Sequence, residues 1–66
     1  MGNETYYNKV KTLTEQALEH IEYELDGSYK GHTGANAVSM YLNDTHDINV
    51  TCDNEADRAF KDALSK

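Results

Sequence analysis

Residues 53–65, DNEADRAFKDALS, carry the clearest helical pattern in the chain. Their apolar side chains recur at i, i+3, i+4, i+7 and i+8, a spacing that places them on one face of a helix. These side chains belong to Ala56, Ala59, Phe60, Ala63 and Leu64. Asp53 precedes this face, where a carboxylate caps the first turn of a helix. Glu55 and Asp57 follow in that turn, where the helix dipole favours negative charge. The pattern predicts a helix over residues 54–65.

Upstream, a longer apolar face runs through residues 4–25 and predicts a first helix there. Its members are Tyr6, Val10, Leu13, Ala17, Ile21 and Leu25. Thr12 and Glu15 also match a T-x-x-E capping box, which leaves open a later helix start at Leu13. We favour the longer helix because the apolar period continues without a break upstream of the box. Gly27 follows the last apolar residue and marks the end of the helix.

Between these two helices the pattern is weaker. Thr33 is a candidate N-cap for a helix over residues 34–43. Its expected core face is Ala35, Val38, Tyr41 and Leu42. Residues 48–52 alternate at period two with β-branched side chains, which is typical of a short strand or an extended linker. Whether this segment pairs with residues 28–31 as a small ribbon stays open at this point.

The chain length of 66 residues allows one core, since domains commonly hold roughly 100–200 residues. We therefore predict a single small acidic domain over residues 1–66, mainly α and compact. Its predicted elements are three helices at about 4–25, 34–43 and 54–65, with a short extended or two-stranded β element near 28–31 and 48–52. One core of this size supplies roughly 3–5 kcal/mol. Cys52 is the sole cysteine and forms no internal disulfide, so stability comes from packing or from a partner.

Catalytic and cofactor motifs are absent from the sequence. No glycine-rich phosphate loop occurs. His32, His46 and Cys52 are possible zinc ligands together with Asp44 or Asp47, but their spacing follows no zinc pattern. Surface histidines and a half-buried thiol are the favoured interpretation. We therefore expect no enzyme activity, no metal and no cofactor. Without a long apolar run or a signal peptide, the chain is expected to be soluble and cytoplasmic, with no membrane partner.

Negative charge is the feature that departs from a generic small domain. Twelve Asp and Glu face six Lys and Arg, for a formal charge of −6. Between residues 12 and 57, ten carboxylates face Lys30 alone. At about 100° per residue, four carboxylates fall within a sector of roughly 60° on the first helix, opposite its apolar face. They are Glu15, Glu19, Glu22 and Asp26. A possible second patch comprises Asp44, Asp47, Asp53, Glu55 and Asp57.

This charge predicts a partner with a basic surface, and it disfavours direct binding to nucleic acid. In size, charge and lack of catalytic motifs the chain is similar to small inhibitors that phages and mobile elements make against host nucleases. Some of these, among the anti-CRISPR and anti-restriction proteins, imitate DNA, and the resemblance implies occupation of a nucleic-acid-binding surface. The alternatives are a solvated acidic face with no binding role and a self-associating helical module such as a homodimer. That module would use exposed tyrosines, for which the candidates are Tyr6, Tyr7, Tyr23 and Tyr29.

Overall fold

Three helices and one β hairpin make up the fold. The structure, a computed structural model, describes residues 2–65, with side chains described for residues 6–65. In chain order the elements are α1 (Gly2–Glu24), β1 (Ser28–Tyr29), β2 (His32–Thr33), α2 (Gly34–His46) and α3 (Asn54–Leu64). The predicted mainly α architecture with three helices and a short β element is confirmed.

The core lies where the buried face of α1 packs against α3 and α2. Its buried apolar side chains are Val10, Ala17, Ile21, Ala37, Val38, Leu42, Ile48, Val50, Ala56, Ala59, Phe60 and Ala63. Phe60 is the only large aromatic ring among them, so the core depends heavily on small and aliphatic side chains. Within the described residues, no helix is both long and apolar enough to cross a membrane.

The long first helix is confirmed, and the alternative start at Leu13 is wrong because α1 runs without interruption through Thr12. Thr14 is fully buried on the core face of α1, and its hydroxyl donates to the Val10 carbonyl at 2.7 Å. This bond satisfies a polar group that would otherwise be unpaired in the core. The longer apolar period was therefore a better guide than the capping motif.

The hairpin forms between neighbouring segments. Ser28 pairs with Thr33, and Tyr29 pairs with His32, in an antiparallel register. Lys30 and Gly31 connect the strands with φ values of 51° and 82°, as a two-residue hairpin turn with two positive φ angles requires. A local turn closes with little loss of chain entropy, which favours this pairing over a distant partner.

Residues 48–52 form no strand, so the strand alternative is wrong and the linker alternative holds, with an irregular rather than an extended backbone. The side-chain oxygen of Asn49 accepts from the Thr51 amide at 3.2 Å and from the Thr51 hydroxyl at 2.8 Å. These bonds curl the backbone into a turn of the kind that Asn favours. Ile48 and Val50 are still buried, which explains the alternating pattern: two apolar side chains close the core from an irregular connection.

The second helix extends three residues beyond its predicted end, and its buried face is shifted. Ala37 is buried and Ala35 is exposed, whereas the expected core face included Ala35. Ala35 lies in the first turn of α2, while the buried face of the helix is centred nearer Ala37, Val38 and Leu42. Asp47, with φ of 55°, ends α2 in the left-handed conformation.

The cap of α3 carries a testable expectation. The Asp53 carboxylate accepts from the Glu55 and Ala56 amides, so Asp53→Ala is expected to lower the free energy of unfolding by about 1 kcal/mol. Thr33 occupies the same position before α2 but makes no side-chain cap bond, so Thr33→Ala serves as the matched control. Urea denaturation measures both. Equal losses from the two variants would contradict the assignment.

Candidate functional site

The acidic face of α1 is the strongest candidate site in the described residues. Glu19 and Glu22 are exposed, and Glu15 is half-buried beside them on the same side of the helix. Carboxylates three or four residues apart on a helix lie about 5–6 Å from each other. The helix therefore brings three of the four predicted stripe residues into one row.

The fourth stripe residue, Asp26, is not on the helix, because α1 ends at Glu24. Asp26 and Gly27 have φ values of 60° and 87°. Glycine adopts this left-handed conformation readily, and aspartate is one of the few other residues that tolerate it. The Gly27 amide then donates to the Ile21 carbonyl at 2.8 Å. Asp26 is exposed in this turn, so it extends the acidic surface beyond the end of the helix rather than along its face.

Towards the end of α1, this surface carries carboxylates that form no ion pair within the described residues. The last turn of α1 contains no basic residue, although the negative end of the helix dipole lies there and favours cations. In the described part of the chain, no ion pair involves Glu19, Glu22, Glu24 or Asp26. Like charges at i and i+3 or i+4 destabilise a helix by about 0.2–0.5 kcal/mol per pair. Folding alone therefore disfavours this arrangement of carboxylates.

Lys30 is the one Lys or Arg between residues 12 and 57, and it pairs with α2 rather than with the acidic face of α1. Its ammonium nitrogen lies 2.6 Å from a carboxylate oxygen of Asp44 on α2. The Tyr29 hydroxyl donates to the same oxygen at 3.0 Å. The hairpin is thus fastened to α2 by the side chains of Tyr29 and Lys30. The Lys30 ammonium, followed by the Tyr29 hydroxyl, lowers the pKa of Asp44 from its ordinary value.

This contact predicts a pH dependence. Because the folded pKa of Asp44 is depressed, its contribution to stability is present above the unfolded pKa of about 3.9 and is lost as pH falls through the folded pKa. We expect the Asp44 carboxyl in Lys30→Met to titrate at a higher pH than in the unmodified protein, as measured by carbon-13 NMR. Lys61→Met, which removes a different lysine, is the control and leaves the midpoint unchanged. An Asp44 midpoint that does not move in Lys30→Met would contradict the contact.

Most of the predicted second patch has structural roles. Asp44 holds the hairpin, Asp53 caps α3, and Asp57 lies 3.1 Å from Lys61 in an i, i+4 ion pair. Asp47 is exposed at the end of α2, and Glu55 is half-buried in the first turn of α3. Three of the five carboxylates thus contact donors within the protein, which leaves less negative charge for a partner than the sequence suggests.

The sequence pattern does not predict the side-chain contact between α1 and α3 that Tyr7 makes with Asp62 and Arg58. The Tyr7 hydroxyl donates to the Asp62 carboxylate, and the Arg58 guanidinium lies 5.1 Å from the centre of the Tyr7 ring. The bond to Asp62 raises the pKa of Tyr7. No local sequence pattern predicts a contact between residues 55 positions apart.

Of the predicted interface tyrosines, Tyr7 and Tyr29 make contacts within the chain, whereas Tyr23 is 77% exposed.

The surface also contains concavities, of which one borders the acidic face. The larger, of about 680 Å³, lies between the hairpin and α2, and its polar lining includes His32, Asn36 and Asn43. The smaller, of about 220 Å³, lies between α1 and the start of α2, with Glu22 in its lining.

Within residues 2–65, no group of three His, Cys, Asp or Glu side chains is placed to hold a metal ion. Cys52 is exposed rather than half-buried.

Comparisons with protein-family models, with curated protein sequences and with solved structures find no match to this chain.

Proposed function

We propose that this protein is a small acidic inhibitor that binds the basic, nucleic-acid-binding surface of another protein. It acts by binding rather than catalysis, and its effect is to keep DNA or RNA from that surface. The residues that carry binding are Glu15, Glu19, Glu22 and Asp26. Such an inhibitor works in the cytoplasm of the cell that holds its target, as the anti-restriction and anti-CRISPR inhibitors of phages and mobile elements do.

One observation carries the proposal: the C-terminal end of α1 holds exposed carboxylates that the described fold does not pair. Glu19, Glu22 and Asp26 all lie in this region, and the only cation of the acidic span is bound to Asp44. A partner that supplied cations here would relieve the repulsion among these carboxylates. It would also meet the negative end of the helix dipole. Complementary charge of this kind accelerates association and sets specificity.

The linear arrangement of the carboxylates supports a nucleic-acid-binding partner. Phosphates along one DNA strand advance about 3.4 Å per residue, and carboxylates at i and i+4 advance about 6 Å along a helix. A groove built to hold a row of phosphates therefore meets a linear row of the same charge sign at a little over half the density. The second patch is not needed for this contact, since Asp44, Asp53 and Asp57 already bind donors within the chain.

Capture from a cell lysate tests the proposal. The intact protein is immobilised, and retained proteins are washed at low salt and at about 0.5 M salt, where screening leaves an electrostatic range of only a few ångströms. We expect a nucleic-acid-binding protein to be retained at low salt and released at high salt. Retention of the same protein, unchanged, through both washes would contradict an electrostatic interface.

Self-association is the second candidate. Tyr23 is the one large apolar side chain that is strongly exposed among the described residues. A stable interface buries about 800 Å² on each partner, and one isolated ring contributes about 150–250 Å². The described surface therefore favours the first proposal. Sedimentation equilibrium at low and high salt distinguishes the two candidate functions. A self-associating module is a dimer at both salt concentrations, whereas the proposed inhibitor is a monomer at both.

A further inference from the structure

The smaller pocket borders the acidic face directly. Its lining comprises Leu18, Ile21 and Glu22 of α1, Gly27 of the following turn, and Gly34 and Val38 of α2. On a helix with about 100° per residue, Leu18 lies only about 40° from Glu22. An apolar recess thus lies beside the carboxylate row, with one member of that row in its wall.

The walls of the pocket differ in chemistry. Ile21 and Val38 are buried and form an apolar base, whereas Leu18 is half-exposed. Gly27 and Gly34 have no side chain, and a Cβ atom built on either would meet nothing within 4 Å. The two glycines therefore leave the pocket open to solvent. Glu22 is exposed and contributes the one charged group in the lining.

The size of the pocket favours a single side chain as its occupant. Its volume is about 220 Å³, whereas pockets for small molecules generally span about 300–1,000 Å³. The side chains that most often anchor protein interfaces are Trp, Tyr and Arg. Only Arg among these combines an apolar stem with a positive head. The stem matches Leu18, and the guanidinium matches Glu22.

We infer that this pocket receives an arginine side chain of the basic partner. The methylene groups of the arginine pack against Leu18 and the buried base, and its guanidinium donates hydrogen bonds to the Glu22 carboxylate. A carboxylate accepts such a planar donor at two oxygens, a geometry that the lysine ammonium does not reproduce. This inference rests on the proposed function and adds to it a specific anchor residue on the partner.

A second copy of this chain is not the occupant. Arg58 is the only arginine in the sequence, and its guanidinium already lies over the Tyr7 ring of its own chain. Because a second copy would have to give up this contact, we assign the arginine to a different protein.

The test is an NMR titration of the isotope-labelled full chain at low salt. The probes are a peptide of alternating glycine and arginine and its lysine counterpart of the same length. We expect the arginine peptide to shift the methyl signals of Leu18 and Val38 and to bind about tenfold more tightly than the lysine peptide, as a bidentate charge-assisted bond implies. Contacts between arginine methylene protons and the Leu18 methyl groups should appear in nuclear Overhauser spectra.

Matched variants isolate the anchor. Glu22→Gln should weaken binding of the arginine peptide about tenfold. Glu24→Gln removes the same charge about 160° away around α1 and should change binding by no more than about twofold. Equal effects of the two variants would overturn the inference.

The outcomes also separate this inference from the proposed function. If both peptides shift only the amide signals near Glu19 and Asp26, with equal affinity, the pocket is not an anchor site and the electrostatic proposal stands. If neither peptide binds at low salt, the acidic face does not attract cations, and both proposals are wrong.

Discussion

Phe60→Ala is expected to leave most of the protein unfolded at room temperature. Phe60 is 8% exposed and is the one large aromatic ring in the buried core. Removing a buried Phe side chain generally costs about 3–5 kcal/mol. That loss equals the roughly 3–5 kcal/mol that one core of this size supplies, so little stability remains after the substitution.

Circular dichroism at 222 nm, followed through a thermal scan, measures this effect. We expect Phe60→Ala to lack a cooperative transition and to show greatly reduced helical signal. Lys61→Ala is the control on the same helix, since the Lys61 side chain is 71% exposed and surface substitutions change stability by about 0.5 kcal/mol or less. A cooperative transition in Phe60→Ala close to that of the unmodified protein would show that the core does not depend on this ring.

Reversing two charges on α1 is expected to abolish capture of the partner. Glu19→Lys together with Glu22→Lys changes the formal charge from −6 to −2 and places two cations opposite a basic surface. Juxtaposed like charges cost several kcal/mol, which corresponds to a loss of affinity of about a hundredfold or more. Asp26 is left unchanged because its positive φ suits aspartate.

The matched control changes the net charge by the same amount elsewhere. Glu55→Lys together with Asn36→Lys and Asn43→Lys also brings the formal charge to −2, but these residues lie on α2 and at the start of α3. We expect this variant to lose no more than about tenfold in affinity, because only long-range attraction weakens. Circular dichroism confirms that both variants fold. Equal losses in the two variants would mean that total charge matters and the face of α1 does not.

Periodicity predicted the helices because burial of one face is a local property of the sequence. The apolar spacing around Phe60 and the cap at Asp53 needed no tertiary information. The path of residues 48–52 was not predictable in the same way, because Ile48 and Val50 alternate as in a strand while Asn49 turns the backbone. Alternation shows that two side chains reach the core, but it does not determine the backbone that carries them.

The candidate site was predictable in part for a similar reason. Helical spacing placed Glu15, Glu19 and Glu22 together, but the same spacing wrongly extended the row to Asp26. The pairing of Lys30 with Asp44 joins two elements in space and gave no local signal. Because Lys30 pairs with Asp44, the one Lys or Arg between residues 12 and 57 does not pair with the carboxylates at the end of α1.

A competition experiment with nucleic acid shows whether this protein and the nucleic acid bind the same surface of the partner. The captured partner is purified and bound to labelled duplex DNA, or to RNA if that is its ligand, and this protein is added at increasing concentration. We expect complete displacement of the nucleic acid, with no species that contains all three components. A stable complex in which the partner holds this protein and the nucleic acid together would contradict it.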